Sequence, residues 1–237
     1  PLMDLVRVMD VVYVTRDGEN PELRYSLRSL ENVRHGQVWI FGGAPSWINT
    51  PDVVKFVRNP QRGTPYSSTR SHIAAACTHP DVSDPFMLWN DDFFAMQPVG
   101  MAPYLHRGPL VEMLEEAHRH RTPWWKGIIE ADVMLERMGI ENPLCYDIHT
   151  PIVVHKEGML SALQQAKKAR ADAVALRTLY GNMVGLGGTR INDPKMMRRT
   201  ETFPRGPWLS SRDNVFKSTV EPVLRYLFPD PSPYEKV

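Results

Sequence analysis

Cysteine is nearly absent from the sequence, and its two copies follow no functional pattern. They are Cys77 and Cys145, in a chain of 237 residues. Two cysteines without C-x-x-C spacing indicate neither a zinc site nor a disulfide framework. We therefore expect both thiols to be reduced and structural, as in proteins of a reducing compartment.

Long apolar runs and an excess of one charge are lacking as well. No segment approaches the roughly 20 apolar residues that a transmembrane helix needs. The opening residues Pro1 to Leu5 carry no basic region followed by an apolar stretch, so we expect a cytoplasmic protein with no membrane partner. The net charge of +1 does not favour a nucleic-acid partner, and any such interaction would depend on local clusters of basic residues.

Short β-branched and aromatic runs alternate with helical patterns in the first half of the sequence. Polar or glycine-rich turns bound these runs, which predict strands at residues 8–15, 37–41, 53–57 and 86–89. Amphipathic patterns between the strands predict helices at residues 21–30 and 67–77. This order predicts an α/β, Rossmann-like fold with a mainly parallel sheet flanked by helices.

Helical patterns dominate the second half. We predict helices at residues 110–120 and 131–138, a strand at 145–154, and a long amphipathic helix at 161–180. Four glycines between residues 181 and 188 then end the helical pattern. We divide the chain into a core at residues 1–155 and a mostly helical C-terminal extension at residues 156–237.

Two polar clusters follow predicted strands at the edge of the sheet where α/β proteins bind ligands. Thr15, Arg16 and Asp17 come after the first strand, and Asn90-Asp91-Asp92 after the fourth. Adjacent carboxylates repel each other unless a cation is near, and Mg²⁺ or Mn²⁺ bridges carboxylates to substrate phosphates. We predict Asp91 and Asp92 as metal ligands. The alternative is a turn with two solvated acids.

Other side chains in the first half are candidates for binding the rest of a nucleotide. Short polar groups in the turn at Thr15, Arg16 and Asp17 suit a base and ribose. Arg24 and Arg70 lie on the helices that follow, and a guanidinium binds a diphosphate with two parallel hydrogen bonds. The alternative is an ordinary turn with surface ion pairs.

Asp147 and His149 are candidates for acid–base chemistry. Residues two apart on a strand point to the same face, so the predicted strand places a carboxylate beside an imidazole. Either side chain can deprotonate an acceptor hydroxyl, or His149 can complete a metal shell. The alternative is a hydrogen-bonded histidine at the edge of the sheet.

Two stretches combine basic residues with aromatic rings. Trp124 and Trp125 follow a run of histidine and arginine, and Trp208 lies within a stretch that contains Arg198, Arg199 and Arg212. Cations beside stacking rings suit nucleic acid, and sugars also stack on tryptophan. We predict these residues as acceptor-binding; the alternative is a solvated charged face.

Several ordered motifs resemble the Stealth family of sugar-phosphate and sugar transferases. They are residues 10–18 (DVVYVTRDG), 22–30 (ELRYSLRSL), 39–41 (WIF), 45–49 (PSWIN), 86–94 (FMLWNDDFF) and 149–151 (HTP). The resemblance implies a GT-A core, a nucleotide-sugar donor, and a divalent metal at Asp91 and Asp92. It also implies that Asp17, Arg24 and Arg70 face the donor, with His149 near the reacting atoms.

Departures from the family pattern leave the transferred group open. The first motif reads Thr-Arg-Asp-Gly, where many members have Trp-Val-Asp-Gly, and the late motifs are weak. Compact relatives resemble glycosyltransferases of bacteriophages, some of which modify hydroxymethylated DNA bases and others virion proteins. The C-terminal extension would then lie on the acceptor side.

We therefore expect a glycosyltransferase that depends on Mn²⁺ or Mg²⁺ and uses a UDP-linked sugar. The leading acceptor is a hydroxymethylated base in phage DNA. Alternatives are transfer of hexose 1-phosphate to a glycan, transfer of a sugar to a virion protein, and a binding module without catalysis.

Overall fold

A five-stranded sheet forms the centre of the protein. The computed structural model describes residues 8–61, 63–100, 104–120 and 122–236. The strands are β1 (Val11–Thr15), β2 (Val38–Gly42), β3 (Val54–Arg58), β4 (Phe86–Trp89), β5 (Phe94–Ala95), β6 (Leu105–His106), β7 (Ile152–Val154), β8 (Thr189–Arg190), β9 (Lys195–Met196) and β10 (Trp208–Ser211). The central sheet has the order β3-β2-β1-β4-β7.

Helices cover the central sheet and fill the C-terminal part. They are α1 (Pro21–Ser29), α2 (Pro65–Thr78), α3 (Val111–Arg119), α4 (Pro123–Arg137), α5 (Lys156–Lys168), α6 (Leu176–Met183), α7 (Asp213–Val215) and α8 (Glu221–Leu227). A 3₁₀ turn at Leu30–Asn32 follows α1, and a π-helical segment at Phe216–Val220 joins α7 to α8. The short strands β5, β10 and β9 form a second sheet, and β6 pairs with β8.

The central sheet is mainly parallel: helices connect β1 to β2 and β3 to β4, and a loop at residues 43–53 connects β2 to β3. β3, β2, β1 and β4 run parallel, and only β7 pairs antiparallel, with β4. Val11, Val12 and Tyr13 are fully buried in β1, as expected for a strand covered on both faces. The predicted α/β fold with a mainly parallel sheet is confirmed, as is a helical C-terminal part.

Alternating side chains of the strands build two core layers. Val12 and Leu88 belong to the larger layer, which also contains buried residues of α2, α4, α5 and α6. Val11 and Tyr13 point to the opposite layer, where they meet Leu23 and other residues of α1. Helices cover both faces of the sheet, so the carboxyl ends of β1 and β4 are accessible only at one edge. The strand order reverses between these two strands, which is where α/β sheets bind ligands.

The long helix predicted at residues 161–180 is wrong, because the chain forms α5 and α6 there. Arg170 adopts a left-handed backbone with φ 53°. The Ala171 N–H donates to the Ala166 carbonyl at 3.1 Å, the hydrogen bond that ends a helix in the Schellman motif. Glycine usually occupies the left-handed position, so the sequence gives no stop signal. Within the described ranges, no helix has the length and apolar character needed to cross a membrane.

The strand predicted at residues 145–154 is also largely wrong, since only β7 is extended. The preceding residues form two tight turns, in which Ile148 N–H donates to Tyr146 O and Thr150 N–H donates to Ile148 O, both at 2.9 Å. The alternation of a strand therefore does not position Asp147 and His149. The other predicted strands differ from the observed bounds by a few residues, and α4 begins earlier than predicted.

The C-terminal segments pack against elements that precede residue 155. α5 packs on α2, and α6 packs on α4. β10 pairs antiparallel with β5, with Trp208 opposite Ala95. The division at residue 155 stays a prediction, and residues 156–237 contain short strands as well as helices.

Asp10 connects the start of β1 to its neighbours. Its buried carboxylate accepts hydrogen bonds from the Gln37 N–H at 2.9 Å, the Trp39 indole N–H at 2.9 Å and the Ser83 N–H at 3.0 Å. These donors lie at the beginning of β2 and in the loop before β4. One side chain thus aligns three neighbouring strands.

We expect Asp10→Ala to lower the free energy of unfolding by at least about 3 kcal/mol, because three donors lose a charged acceptor. Chemical denaturation monitored by circular dichroism measures this change. Asp52→Ala, at an exposed residue, is the matched control and should change stability by less than about 0.5 kcal/mol. Equal stabilities of the two variants would contradict the role of Asp10.

Candidate active site

An acidic cavity of about 500 Å³ opens where β1 and β4 end. Thr15, Arg16 and Asn90 line it together with acidic side chains. The acidic residues come from both strand ends, from α1 and from α7: Asp17, Glu22, Asp91, Asp92 and Asp213. The two polar clusters that follow the predicted strands therefore meet in one cavity.

Asp91 is held by the beginning of α1. Its Oδ2 atom accepts a hydrogen bond from the Asn20 side-chain amide at 2.5 Å. The carbonyl oxygen of the same amide accepts from the Leu23 N–H at 3.1 Å, which makes Asn20 the N-cap of α1. Burial, and then the neighbouring charge of Asp92, raise the pKa of Asp91. The helix cap thus fixes a carboxylate that resists ionisation.

Asp92 is held by the C-terminal strands. Its Oδ2 atom lies 3.2 Å from the Lys195 ammonium on β9 and accepts a hydrogen bond from the Ser210 hydroxyl on β10 at 2.9 Å. Both partners are more than 100 residues away in the sequence. The second carboxylate of the pair is therefore oriented only when the C-terminal part has folded.

Glu22 is a further carboxyl group of this cavity. Burial raises its pKa to about 7, and the charges of Asp91, Asp213 and Asp92 add to this effect. Arg16 opposes it weakly, since its guanidinium lies 3.9 Å from Glu22 and 4.0 Å from Asp213. The cavity therefore carries more negative charge than its own cations balance.

Two residues of the first polar cluster have structural partners. The Thr15 hydroxyl donates to the Gly43 carbonyl at 2.5 Å, and the Asp17 carboxylate pairs with Arg58 at 2.6 Å. Both residues still line the cavity. These partners connect the end of β1 and the loop after it to the ends of β2 and β3.

The donor set at Asp91 and Asp92 fits a hard divalent cation that also binds phosphate. Within the described ranges, no group of three histidine, cysteine or acidic side chains is arranged to hold a metal. In the same ranges, side chains donate only to the Oδ2 atom of each aspartate. Mg²⁺ commonly binds through one or two carboxylates, with phosphate and water as its other ligands. A cation there would also offset the repulsion that raises the pKa of Asp91.

A second cavity of about 310 Å³ adjoins the acidic one, and Asn90 lines both. Its polar wall consists of Arg70, Asp147, His149 and Arg177, and Trp124 provides an aromatic surface. Asp147 and His149 thus share a cavity even though no strand carries them.

His149 is oriented by an acidic partner from far along the chain. Its Nδ1 atom lies 3.0 Å from both carboxylate oxygens of Asp193, and its backbone N–H donates to the same group at 3.1 Å. Burial alone would raise the pKa of Asp193, but the hydrogen bond and charge of His149 and the charge of Arg107 lower it. Asp193 therefore stays ionised and favours the tautomer with the proton on Nδ1. The Nε2 atom is then free to accept a proton.

Asp147 has a structural role that limits its reactivity. Its Oδ2 atom accepts hydrogen bonds from the Thr178 hydroxyl at 2.8 Å and the Thr178 N–H at 3.2 Å. These contacts tie the carboxylate to the first turn of α6. Between the two predicted bases, His149 has the more available basic atom.

Arg177 is a buried cation beside these groups. Its guanidinium donates to the Ile148 carbonyl at 2.6 Å and to the Thr150 carbonyl, and its Nε atom is buried with no hydrogen-bond partner among the described residues. Burial lowers the pKa of Arg177 to about 10, against the opposing charges of Asp147, Asp193 and Asp92. Arg177 therefore places positive charge in the wall of the second cavity and shapes the loop that carries His149.

The remaining predicted residues are divided between the site and the surface. Trp124 and Arg70 line the second cavity, where Arg70 donates to the Ala171 carbonyl at 2.7 Å. Arg24 lies apart from both cavities, 3.7 Å from Glu235 and over the Trp47 ring. Trp125 stacks on His120 and lines neither cavity. The same is true of three exposed arginines around β9 and β10: Arg198, Arg199 and Arg212.

Sequence reasoning did not identify several residues that the structure brings to the site. They are Asn20, Glu22, Arg107, Arg177, Asp193, Lys195, Ser210 and Asp213. Asn20 and Glu22 had a local signal, since a polar residue before Pro21 and an acid after it are typical of a helix N-terminus. The others reach the site through long-range packing and follow no motif.

Comparisons with known proteins identify a similar fold. No protein-family model matches the sequence, and no curated protein is similar to it. The structure is similar to the galactosyltransferase LgtC in complex with donor and acceptor sugar analogs, with 10% identity and a TM-score of 0.48 over 96% of this chain and 85% of that chain. An active-site mutant of LgtC gives 10% identity and a TM-score of 0.47 at the same coverage. A function has to be argued from the site itself.

The raised pKa of Glu22 predicts a pH-dependent stability. Unfolding returns its pKa from about 7 to the ordinary value of 4.5. Between these values the unfolded state releases the proton while the folded state keeps it, so the free energy of unfolding falls as pH rises. The loss is complete above about pH 7 and amounts to at most about 3 kcal/mol.

We expect Glu22→Gln to remove this dependence. In EDTA, the wild-type melting temperature should fall relative to that of the variant between pH 5 and pH 8. Glu31→Gln, at an exposed residue just after the same helix, is the control and should follow the wild type. A constant difference between wild type and Glu22→Gln at all pH values would refute the assignment.

Proposed function

We propose that this protein is a metal-dependent glycosyltransferase that moves a sugar from a nucleotide sugar to an acceptor hydroxyl. The observation that carries the proposal is the joining of two cavities at the switch point of the sheet. One contains the carboxylates of Asp91 and Asp92, and the other contains His149 on Asp193. A diphosphate and a reacting hydroxyl require these two environments side by side.

The acidic cavity supports a nucleotide-sugar donor, for which we propose a UDP-linked sugar. Asp91 and Asp92 would hold Mn²⁺ or Mg²⁺, which offsets the charge of the leaving diphosphate. Thr15, Arg16 and Asn90 line the same cavity and supply polar groups for the nucleotide. Without a cation, the carboxylates would repel the diphosphate, so donor binding should require the metal.

The second cavity supports activation of the acceptor by His149. The acceptor oxygen forms a bond to C1 of the sugar, and the bond from C1 to the diphosphate oxygen breaks. The proton of the hydroxyl passes to His149 Nε2, and the nucleoside diphosphate leaves with the bonding electrons. Asp193 stabilises the resulting imidazolium. Direct attack of this kind inverts the configuration at C1.

For the acceptor we propose a hydroxymethylated base in DNA. Trp124 lines the second cavity, with the Arg107 guanidinium 6.0 Å from its ring. A base exposed from its stack can lie on such a ring with its hydroxymethyl group near His149. Transfer of a hexose phosphate would instead release a nucleoside monophosphate, so the released nucleotide distinguishes the two reactions.

We expect Asp92→Asn to lower nucleotide release by at least about 100-fold, because one of two charged metal ligands is lost. A panel of nucleotide sugars with Mn²⁺ or Mg²⁺ is scored for released UDP and UMP, with and without hydroxymethylated DNA. Mn²⁺ should also raise the melting temperature of the wild type but not of the variant. Asp52→Asn is the control, and full metal-dependent turnover of Asp92→Asn would exclude the metal assignment.

A second variant tests the proposed base. His149→Gln should lower the rate of transfer by about 100-fold to 10,000-fold, with donor affinity unchanged. The fall of the rate toward acid pH, which protonation of a general base causes, should be absent from this variant. A profile that keeps its shape in His149→Gln would assign proton transfer to another group.

A further inference from the structure

A third and larger cavity lies under the loop between β9 and β10. It has a volume of about 1330 Å³ and extends from Arg190 and Lys195 to Phe203, Arg205 and Trp208. Drug-sized ligands occupy cavities of about 300–1,000 Å³, so this cleft accepts a longer or more extended molecule. The proposed transfer reaction, as argued from the other two cavities, does not use it.

The floor of the cleft supports the reacting groups. Asp193 and Lys195 line the cleft. The same two side chains hold His149 at 3.0 Å and Asp92 at 3.2 Å. A molecule in the cleft therefore lies one side chain away from both the proposed base and the proposed metal ligand.

The loop over the cleft presents arginines without acidic partners. Arg205 lines the cleft, Arg198 and Arg199 lie in the same loop outside the lining, and Arg212 follows β10. All four are exposed, and none takes part in an ion pair within the described residues. Among the described residues, the Arg199 side chain donates to the Asn214 carbonyl at 3.5 Å. Elsewhere, the exposed Arg58, Arg119, Arg190 and Arg225 have acidic partners. The exposed Arg34, Arg137 and Arg170 have no ion-pair partner among the described residues but are scattered along the chain. The loop is thus a local cationic surface in a chain of nearly zero net charge.

Acidic groups of the loop do not neutralise this surface. Glu201, which lines the cleft, accepts a hydrogen bond from the Met197 N–H at 2.6 Å. That contact fixes the bend of the loop and turns the carboxylate toward the backbone. Asp193, the other acid of the cleft, is engaged with His149 and Arg107. The arginines of the loop are therefore accessible to a polyanion, whereas the carboxylates of the cleft are engaged in other contacts.

Aromatic rings accompany these cations. Phe203 lines the cleft and is 38% exposed, unusually high for phenylalanine. Trp208 lines its inner end and is almost completely buried. Cations that track a phosphate backbone, together with rings on which bases stack, are typical of single-stranded nucleic-acid sites.

We propose that the cleft binds a single-stranded segment of DNA, with phosphates on Arg198, Arg199 and Arg205 and a base on Phe203. The direction of the bound strand rests on the proposed function, because we expect the strand to place its acceptor base near His149. Stacking on Phe203 requires a base with a free face, which a paired duplex does not offer. The binding itself does not depend on catalysis.

Fluorescence anisotropy with a labelled single-stranded 12-mer tests the proposal on the full chain. Arg198→Ala/Arg199→Ala/Arg205→Ala should bind at least 10-fold more weakly, and the slope of log affinity against log salt should fall by about 2, from three lost phosphate contacts. Arg34→Ala/Arg119→Ala/Arg137→Ala removes the same charge at exposed residues elsewhere and should stay within 2-fold of the wild type. Phe203→Ala should weaken binding about 5-fold or more with an unchanged salt slope.

The outcomes separate this inference from the proposed function. Equal losses in the two triple variants, or binding of the duplex as tight as of the single strand, would overturn the single-strand site. Tighter binding of a sulfated glycan than of DNA would also overturn it. Donor hydrolysis measured without DNA should be the same in the Arg198/Arg199/Arg205 variant and the wild type. If no donor is hydrolysed while the binding pattern holds, the transferase proposal fails and the DNA site stands.

Discussion

Repulsion among carboxylates at the ends of β1 and β4 is the constraint on which the rest of the site depends. Asp91 and Asp92 are adjacent in the chain, and Glu22 is buried beside them with its pKa raised to about 7. Hydrogen-bond donors and cations from other segments of the chain must offset the repulsion among these carboxylates. Asn20 donates to Asp91, and Lys195 pairs with Asp92. The beginning of α1 and the C-terminal strands are therefore connected through the charges they balance.

This dependence explains why the C-terminal part belongs to the site rather than only covering it. Lys195 and Asp193 are two residues apart, and each holds one reacting group, Asp92 and His149 respectively. The short segment that contains them sets the spacing between the proposed metal ligand and the proposed base. A shift of this segment would move Asp92 and His149 together, so the distance between the proposed metal ligand and the proposed base would be kept.

The sequence predicted the features that depend on local patterns and missed those that depend on long-range contacts. β1, β2 and β4 follow from β-branched and aromatic runs, and the cluster at Asp91 follows from its position after such a run. The break at Arg170 was not predictable, because a left-handed arginine lacks the glycine that usually marks a helix end. Arg177 and Asp193 reach the site only through packing, and no spacing along the chain indicates where such residues will meet.

The distribution of charge also gives a physical basis for keeping donor and acceptor apart. A DNA strand on the arginines of the β9–β10 loop carries phosphates that the acidic cavity repels, since Asp91, Asp92 and Asp213 line that cavity. A nucleotide sugar would bring its diphosphate to a metal held by the same carboxylates and so overcome the repulsion. Discrimination then comes from an unfavourable interaction with the wrong ligand as much as from contacts with the right one. The acidic cavity, for which we propose a bound cation, would in this way also exclude the acceptor backbone from the donor position.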